Sequence, residues 1–227
     1  MTKDERDMTG TTVKSRSSET FDVIRCYNGE AVLAPHDLVE ERPLVVRIDG
    51  QQYAVIMRTP GDETIHAAGF CLSEGIVDDP NDFLTIVHNE NADEVEITLR
   101  PGIHERFERI LKENNLVSLS GCGIFERGIQ DRRLGLLRKI SGGERIKVGD
   151  AIGQIERLRD LQEMHKETWG AHGAMIVDSS LETLSISEDV GRHNALDKAI
   201  GRLLMKGRLE DARICVLSSR ISYEMII

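Results

Sequence analysis

Residues 174–217 constrain the fold more than any other stretch, because they spell two short apolar strands, a helix and another strand in direct succession. Residues 174–178 and 183–187 read as the first two strands. Residues 193–206 then carry Leu196, Ile200, Leu203 and Leu204 at helical spacing and stop at Gly207, and residues 213–217 return to a strand. A strand, helix and strand in a row require a crossover, which implies some parallel pairing and helices on both faces of a sheet. Together with a preceding helix marked by Ile155, Leu158, Leu161 and Met164, the order is α-β-β-α-β. It predicts a three-layer α/β lobe around a mixed sheet.

A smaller α+β lobe precedes it. Residues 21–27 read as a strand, and 43–58 as two strands joined at Asp49-Gly50, a dipeptide that tolerates the left-handed angles of a type I′ turn. Thr59 reads as a cap and Pro60 as a first helical position, with Ile65, Gly69 and Leu72 on one stripe until Gly75. Val95, Ile97 and Leu99 alternate as in a half-buried strand, and Ile103, Phe107, Ile110 and Leu111 form an amphipathic helical stripe. The division is therefore a disordered tail over 1–18, the α+β lobe over 19–115 and the layered lobe over 116–227, with a short helix expected at 134–140. Ser219 would cap a further helix that breaks off at Ile227, so the second lobe reads as incomplete at its C-terminal end.

Composition excludes several classes. Of 227 residues 40% are apolar, enough for a core, and 39 acidic against 29 basic side chains give a formal charge of -10, which argues against a broad surface for nucleic acid. No long apolar run marks a membrane span or a signal peptide, so a cytoplasmic location is expected. Cys26, Cys71, Cys122 and Cys215 lie too far apart for a zinc knuckle or a paired-thiol motif. The patterns around Cys26, Cys71 and Cys215 make them small core hydrophobes.

Three loops carry candidate chemistry. Cys122 stands between Gly121 and Gly123, where backbone freedom and unpaired N–H groups would favour an accessible thiolate, although the segment alone is equally a glycine-rich turn. In the second loop, Trp169-Gly170-Ala171-His172-Gly173 leads into a strand. His172 there is either a group that orients or protonates a ligand or a buried histidine satisfied by a carbonyl. Trp169 either stacks on a base or plugs the lobe interface. The third, Asp189-Val190-Gly191-Arg192-His193-Asn194, runs into a helix N-terminus, which with the Arg192 fork suits an anion such as phosphate; the plainer reading is a capped helix with Asp189 and Arg192 paired locally. Ser218-Ser219-Arg220 repeats that layout after the last strand, and open α/β sheets hold ligands at such strand ends. Gly191, Arg192, His193, Asn194, Ser218, Ser219, Arg220 and His172 are therefore the candidate ligand-binding residues.

The segments Ala68-Gly69-Phe70, Ser73-Glu74-Gly75-Ile76, Cys122-Gly123-Ile124, 168–174, 218–224 and above all the run from Glu188 to Lys198 resemble the FdhD family, the formate dehydrogenase accessory sulfurtransferases. The resemblance spans residues 21–227. It implies a cytidine-deaminase-like second lobe, a homodimer, and a cysteine persulfide formed with sulfur from a cysteine desulfurase. It further implies delivery of that sulfur to the bis-molybdopterin guanine dinucleotide cofactor, as cargo, in the service of formate dehydrogenase. Cys122 falls on the family's persulfide-bearing cysteine.

The sequence departs from the family pattern in one informative place: Phe125 stands where Cys-Gly-x-Cys would put a second thiol, so only a one-thiol relay is open to it. The family also continues past the segment matching Ser222-Tyr223-Glu224. Two rival functions are weighed beside sulfur transfer. A zinc deaminase would need His-x-Glu and Pro-Cys-x-x-Cys, but His172 is followed by Gly173-Ala174 and no cysteines pair, so no metal site is expected. A non-catalytic module that holds the molybdenum cofactor or shields the apoenzyme is the other.

Overall fold

The structure, a computed structural model, describes residues 17–114, 118–119, 145–222 and 225–226. Cys122, Phe125 and the helix expected at 134–140 lie outside the described residues.

Three sheets organise the chain. A two-stranded ribbon, β1 (Ser18–Tyr27) and β2 (Glu30–Val39), turns at Asn28-Gly29, whose φ angles of 51° and 86° are the left-handed pair of a tight hairpin. A five-stranded sheet follows, containing β3 (Arg42–Ile48), β4 (Gln51–Arg58), β5 (Phe83–Asn89), β6 (Glu94–Leu99) and β7 (Ser118–Leu119). Its spatial order is β5-β6-β3-β4-β7. The Asp49-Gly50 hairpin forms as expected, with φ of 48° and 79°. Leu44, Val46, Ile48, Val95 and Ile97 are fully buried against α1 (Glu63–Ser73) and α2 (Pro101–Asn114). Tyr53 meets Phe70 and Phe107 ring to ring at 6.0 and 5.5 Å, which locks both helices onto the sheet.

The helix α1 starts later than its sequence suggests. Asp62 occupies the N-cap at φ 58°, while Thr59 and Pro60 remain in the approach, because Thr59 is fully buried and committed to a different element. Its backbone N–H donates to Asp189 Oδ2 at 3.1 Å, and its hydroxyl accepts from the Val190 N–H at 3.0 Å.

In the second lobe α3 (Val148–Leu161) and α4 (Glu163–Thr168) are separated by a break at Gln162, where a single helix was expected. Only Leu158 of α3 is buried; Ile155 and Leu161 are exposed. The strands β8 (His172–Val177), β9 (Thr183–Asp189) and β10 (Ile214–Leu217) and the helix α5 (Arg192–Met205) fall where the succession placed them. Ala174 and Ile176 pack on Ala195, Ala199 and Leu203 of α5, whereas Met175 and Val177 pack on Leu158 of α3. Alternate residues of one strand thus serve opposite layers, as a three-layer lobe requires.

The expected parallel pairing in this lobe does not occur. The order is β10-β8-β9 with both pairings antiparallel, so β9 and β10 run the same way but with β8 between them. The parallel pairings lie in the five-stranded sheet, β3 with β6 and β4 with β7. No helix begins at Ser219, whose hydroxyl instead contacts the Arg220 carbonyl at 3.1 Å. Cys71 is buried, but Cys26 and Cys215 are exposed, correcting their assignment to the core: Cys26 lies on the ribbon and Cys215 on an edge strand. Among the described residues no helix is long and apolar enough to cross a membrane.

The lobes meet where α1 crosses α5. A Cβ on Gly69 would lie 1.9 Å from the Asp197 carbonyl oxygen, and one on Gly201 would lie 2.0 Å from that of Ile65, so the two helix backbones touch. Gly201→Ala should therefore cost about 3 kcal/mol in urea unfolding, because the obstacle is backbone and cannot rotate away. Helix propensity alone would make the same change stabilising. A rise in stability would show that the helices do not pack this closely.

Asp197 lies in the same crossing, accepting a 2.6 Å hydrogen bond from the Ser73 hydroxyl, and burial pushes its carboxyl up to about 7. A carboxyl raised in the folded state contributes stability that is fully present below its unfolded value and is lost as pH climbs through about 7. Asp197→Asn should thus stabilise the fold at pH 8 and much less at pH 5. Equal effects at both values, read from thermal melts, would contradict the assignment.

Candidate functional site

Glu188 organises the wall of the second lobe: its carboxylate accepts the N–H groups of Met164 and His165 at 2.9 Å each, capping the start of α4. The helix ends at Trp169, held at φ 57°. The chain then passes through Gly170 to His172 at the start of β8. Both glycines of this loop are closely approached by side chains. A Cβ on Gly170 would lie 2.7 Å from Val39, at the root of the ribbon, and one on Gly173 would lie 2.7 Å from the Gln162 side chain. Other parts of the chain, Val39 and Gln162, thus approach the backbone of this loop closely.

Between this loop, α3 and the end of β10 lies a cavity of about 530 Å³ lined by Ile155, Leu158, Arg159, Gln162, His165, Trp169, Gly170, Ala171, His172, Leu217 and Ser218. Its size suits a small ligand or one portion of a larger one. Trp169 is 75% exposed and tilts against the His165 ring at 5.8 Å, so it walls the cavity and does not plug the lobe interface. The Gly173 N–H donates to the Ser218 hydroxyl at 2.8 Å, which fixes Ser218 beside His172. His165 contacts the Ala171 carbonyl through Nδ1 at 2.8 Å, making it the carbonyl-satisfied histidine that the sequence suggested for His172.

His172 is half-buried, and its protonated form is disfavoured by that burial, then by the charges of Arg192, His165 and Arg220, with Asp189 opposing. The positive charges of Arg192, at the start of α5, and of Arg220, after β10, are thus felt at His172. These effects favour the neutral ring, which can accept a hydrogen bond near neutral pH.

The other candidates turn elsewhere. Asn194 is buried and donates from Nδ2 to the Met57 carbonyl at 2.7 Å and to Asp189 Oδ1 at 3.0 Å. The Gly191 N–H donates to Asp189 Oδ1 at 2.9 Å and so is not open to an anion, and a Cβ on Gly191 would strike the Asn194 amide at 2.6 Å. His193 meets the Ser222 hydroxyl at 3.0 Å through Nε2. Asp189 pairs with Lys198 at 2.7 Å, correcting the local pair with Arg192. The structure thus gathers His172, Arg192, Ser218 and Arg220 with Ser219 alongside, and assigns Gly191 and Asn194 to the contact between the lobes. Arg159, Gln162 and His165 line the cavity but were missed, since a lone polar residue on a helix or at its break carries no signal of what it faces. Among the described residues no cluster of side chains suits a metal ion.

A family model described as the FdhD/NarQ family matches residues 39–227. The chain belongs to the FdhD/NarQ family. It is 33% identical to the sulfur carrier protein FdhD of Streptomyces coelicolor over 222 residues, covering 92% of this chain and 78% of that protein. With the sulfur carrier protein FdhD of Saccharolobus solfataricus it shares 31% identity, covering 91% of this chain and 77% of the relative. A crystal structure assigned to a formate dehydrogenase accessory protein of Desulfotalea psychrophila superposes with a TM-score of 0.68 at 16% identity, over 92% of this chain and 77% of that one; it supports the fold.

Removing the charge of Arg192 should let His172 protonate more readily. In Arg192→Ala the His172 ring resonance, followed by NMR against pH, should titrate at a higher pH than in the unmodified protein. An unchanged midpoint would mean that the guanidinium does not lie beside the imidazole.

Proposed function

We propose that this protein is a sulfur carrier serving formate dehydrogenase. It takes sulfur from a cysteine desulfurase on Cys122 and passes it to the bis-molybdopterin guanine dinucleotide cofactor, its cargo. Membership of a family whose relatives are named sulfur carrier protein FdhD is the observation that carries this reading. The Cys122 thiolate attacks the terminal sulfur of the donor's cysteine persulfide; the donor S–S bond breaks, the donor cysteine leaves as thiolate, and Cys122 holds the persulfide. A nucleophile on the acceptor then attacks that terminal sulfur, the S–S bond of the persulfide breaks, and Cys122 leaves as thiolate, restored for another round. With Phe125 in place of a second thiol, no internal disulfide competes with this release.

The cavity supports the cargo half of the proposal. An exposed indole face offers stacking to a guanine ring, Arg159 offers a fork to phosphate oxygens, Ser218 and neutral His172 add hydrogen-bonding groups, and the charges of Arg192 and Arg220, outside the lining, reach His172. These are the chemical types that a nucleotide portion needs.

Incubation with a cysteine desulfurase and L-cysteine should add the mass of one sulfur to the peptide that holds Cys122, and Cys122→Ala should abolish it. Absence of that mass, or equal loading of the variant, would leave only a module that holds the cofactor without moving sulfur. In the same preparation Trp169→Ala should weaken GDP binding about tenfold. Unchanged affinity would remove the nucleotide from this cavity while leaving the relay intact.

A further inference from the structure

A second cavity, of about 370 Å³, lies at the seam of the two lobes, apart from the one that Trp169 walls. Pro60 and Asp62 close it from the first lobe, at the approach to α1. Residues of α3, α4, α5 and the outer edge of β9 close it from the second. Its size falls at the small end of the roughly 300–1,000 Å³ of ligand sites. Two polar groups in this lining have no partner. Ser187 is only 7% exposed, yet its hydroxyl meets neither donor nor acceptor among the described residues. Arg202 donates from Nη2 to Asp62 at 2.6 Å, and its buried Nε–H goes unanswered. Leaving such groups unpaired costs about 1–3 kcal/mol each.

Lys198, one turn before Arg202 on α5, directs two of its three N–H groups to the Thr59 carbonyl and to Asp189. The donors left over, on Ser187, Lys198 and Arg202, suit an oxyanion on a ligand. Charge balance decides which kind. Lys198 and Arg202 stand against Asp62 and Glu188, two cations and two carboxylates, so the lining is formally neutral. A phosphate would set two negative charges beside two carboxylates, whereas a molecule with one charge of each sign adds no net charge. Glu188 gives one oxygen to each of the Met164 and His165 N–H groups, and a carboxylate keeps further lone pairs beyond those two. Leu161, Met164 and Ile186 supply an apolar wall.

We propose that the seam cavity binds a small apolar α-amino acid as its zwitterion. The ligand carboxylate takes the free donors of Ser187, Lys198 and Arg202, its ammonium is matched to the carboxylates of Glu188 and Asp62, and its side chain rests on the apolar wall. Such a molecule touches both lobes, so its binding stabilises the folded chain by mass action. The site is independent of whether Cys122 carries sulfur and of what fills the other cavity.

Isothermal titration of the full chain with L-alanine, L-valine and L-leucine tests it. At least one should bind with a Kd below about 1 mM, and saturation should raise the melting temperature. The tightest of the three should lose at least about tenfold in affinity when replaced by the matching fatty acid, which lacks the ammonium, or the matching amine, which lacks the carboxylate. Ser187→Ala, and Arg202→Lys, which keeps the charge but removes Nε, should each weaken binding at least about fivefold. Without ligand, the Ser187→Ala protein should melt no lower than the unmodified one, since it loses only an unpaired group. No binding of any of the three at about 10 mM, preference for inorganic phosphate or for the bare fatty acid, or unchanged affinity in both variants would overturn the proposal. Displacement by GDP would overturn it too, by placing the amino acid in the cavity that Trp169 walls.

Discussion

Asp189 is a carboxylate with no solvent contact at the end of β9, and the position of one lobe against the other depends on it. It accepts from the Thr59 and Gly191 backbones, the Asn194 amide and the Lys198 ammonium, which in turn reaches the Thr59 carbonyl at 2.8 Å. A buried charge without partners costs several kcal/mol, and removing one member of such a pair costs about 3–5 kcal/mol. Here the end of β4 and the start of α5 supply those partners from different lobes. The joint is therefore specified by polar satisfaction, while the Gly69–Gly201 contact sets its distance. A hydrophobic contact alone would let the lobes slide; a carboxylate with four directed donors does not.

Much of the architecture was legible because its signals are local. Asp49-Gly50 announces its hairpin, and the stripe on α5 ends at Gly207, which adopts φ 63°. The same reasoning reached β1 and stopped, although Asn28-Gly29 is an equally strong hairpin signal. Its second strand carries Pro35, His36 and Asp37, and a ribbon exposed on both faces has no reason to alternate. β5 was hidden for a similar reason, since Leu84 and Val87 are exposed on an edge strand. The missed antiparallel order of β8, β9 and β10 has another cause. Succession along the chain dictates the direction in which a strand runs, not which strand lies beside it.

The candidate site shows the same division. A glycine, an arginine and an asparagine before a helix look alike in sequence whether they face a phosphate or the end of a neighbouring strand. On α5 the positions Asn194, Asp197, Lys198 and Gly201 recur at helical spacing and all face the first lobe. Arg192 stands apart from these, its charge reaching His172, and nothing in the residue pattern separates the two sets. The run from Glu188 to Lys198, which carries the family resemblance, is thus largely structural: Glu188 caps α4, Asp189 and Lys198 form the joint, and Asp197 binds Ser73.

That arrangement ties the cavity to the joint through a very short stretch of chain. The carboxylates of Glu188 and Asp189 point to opposite sides of β9, as neighbouring strand residues must, one holding the helix that ends at Trp169 and the other holding the lobes. Any ligand that displaces α4 pulls on Glu188, and the strain passes to Asp189 across one peptide unit. The stiff, fully satisfied carboxylate resists it, so the cavity wall is preorganised by the same residues that fix the lobes. Preorganisation of this kind favours a ligand held by several directed groups over one held by a single charge, because the side chains pay little ordering entropy on binding. The cargo proposed for this protein, a dinucleotide cofactor gripped at its nucleotide end, is a ligand of that multiply held kind.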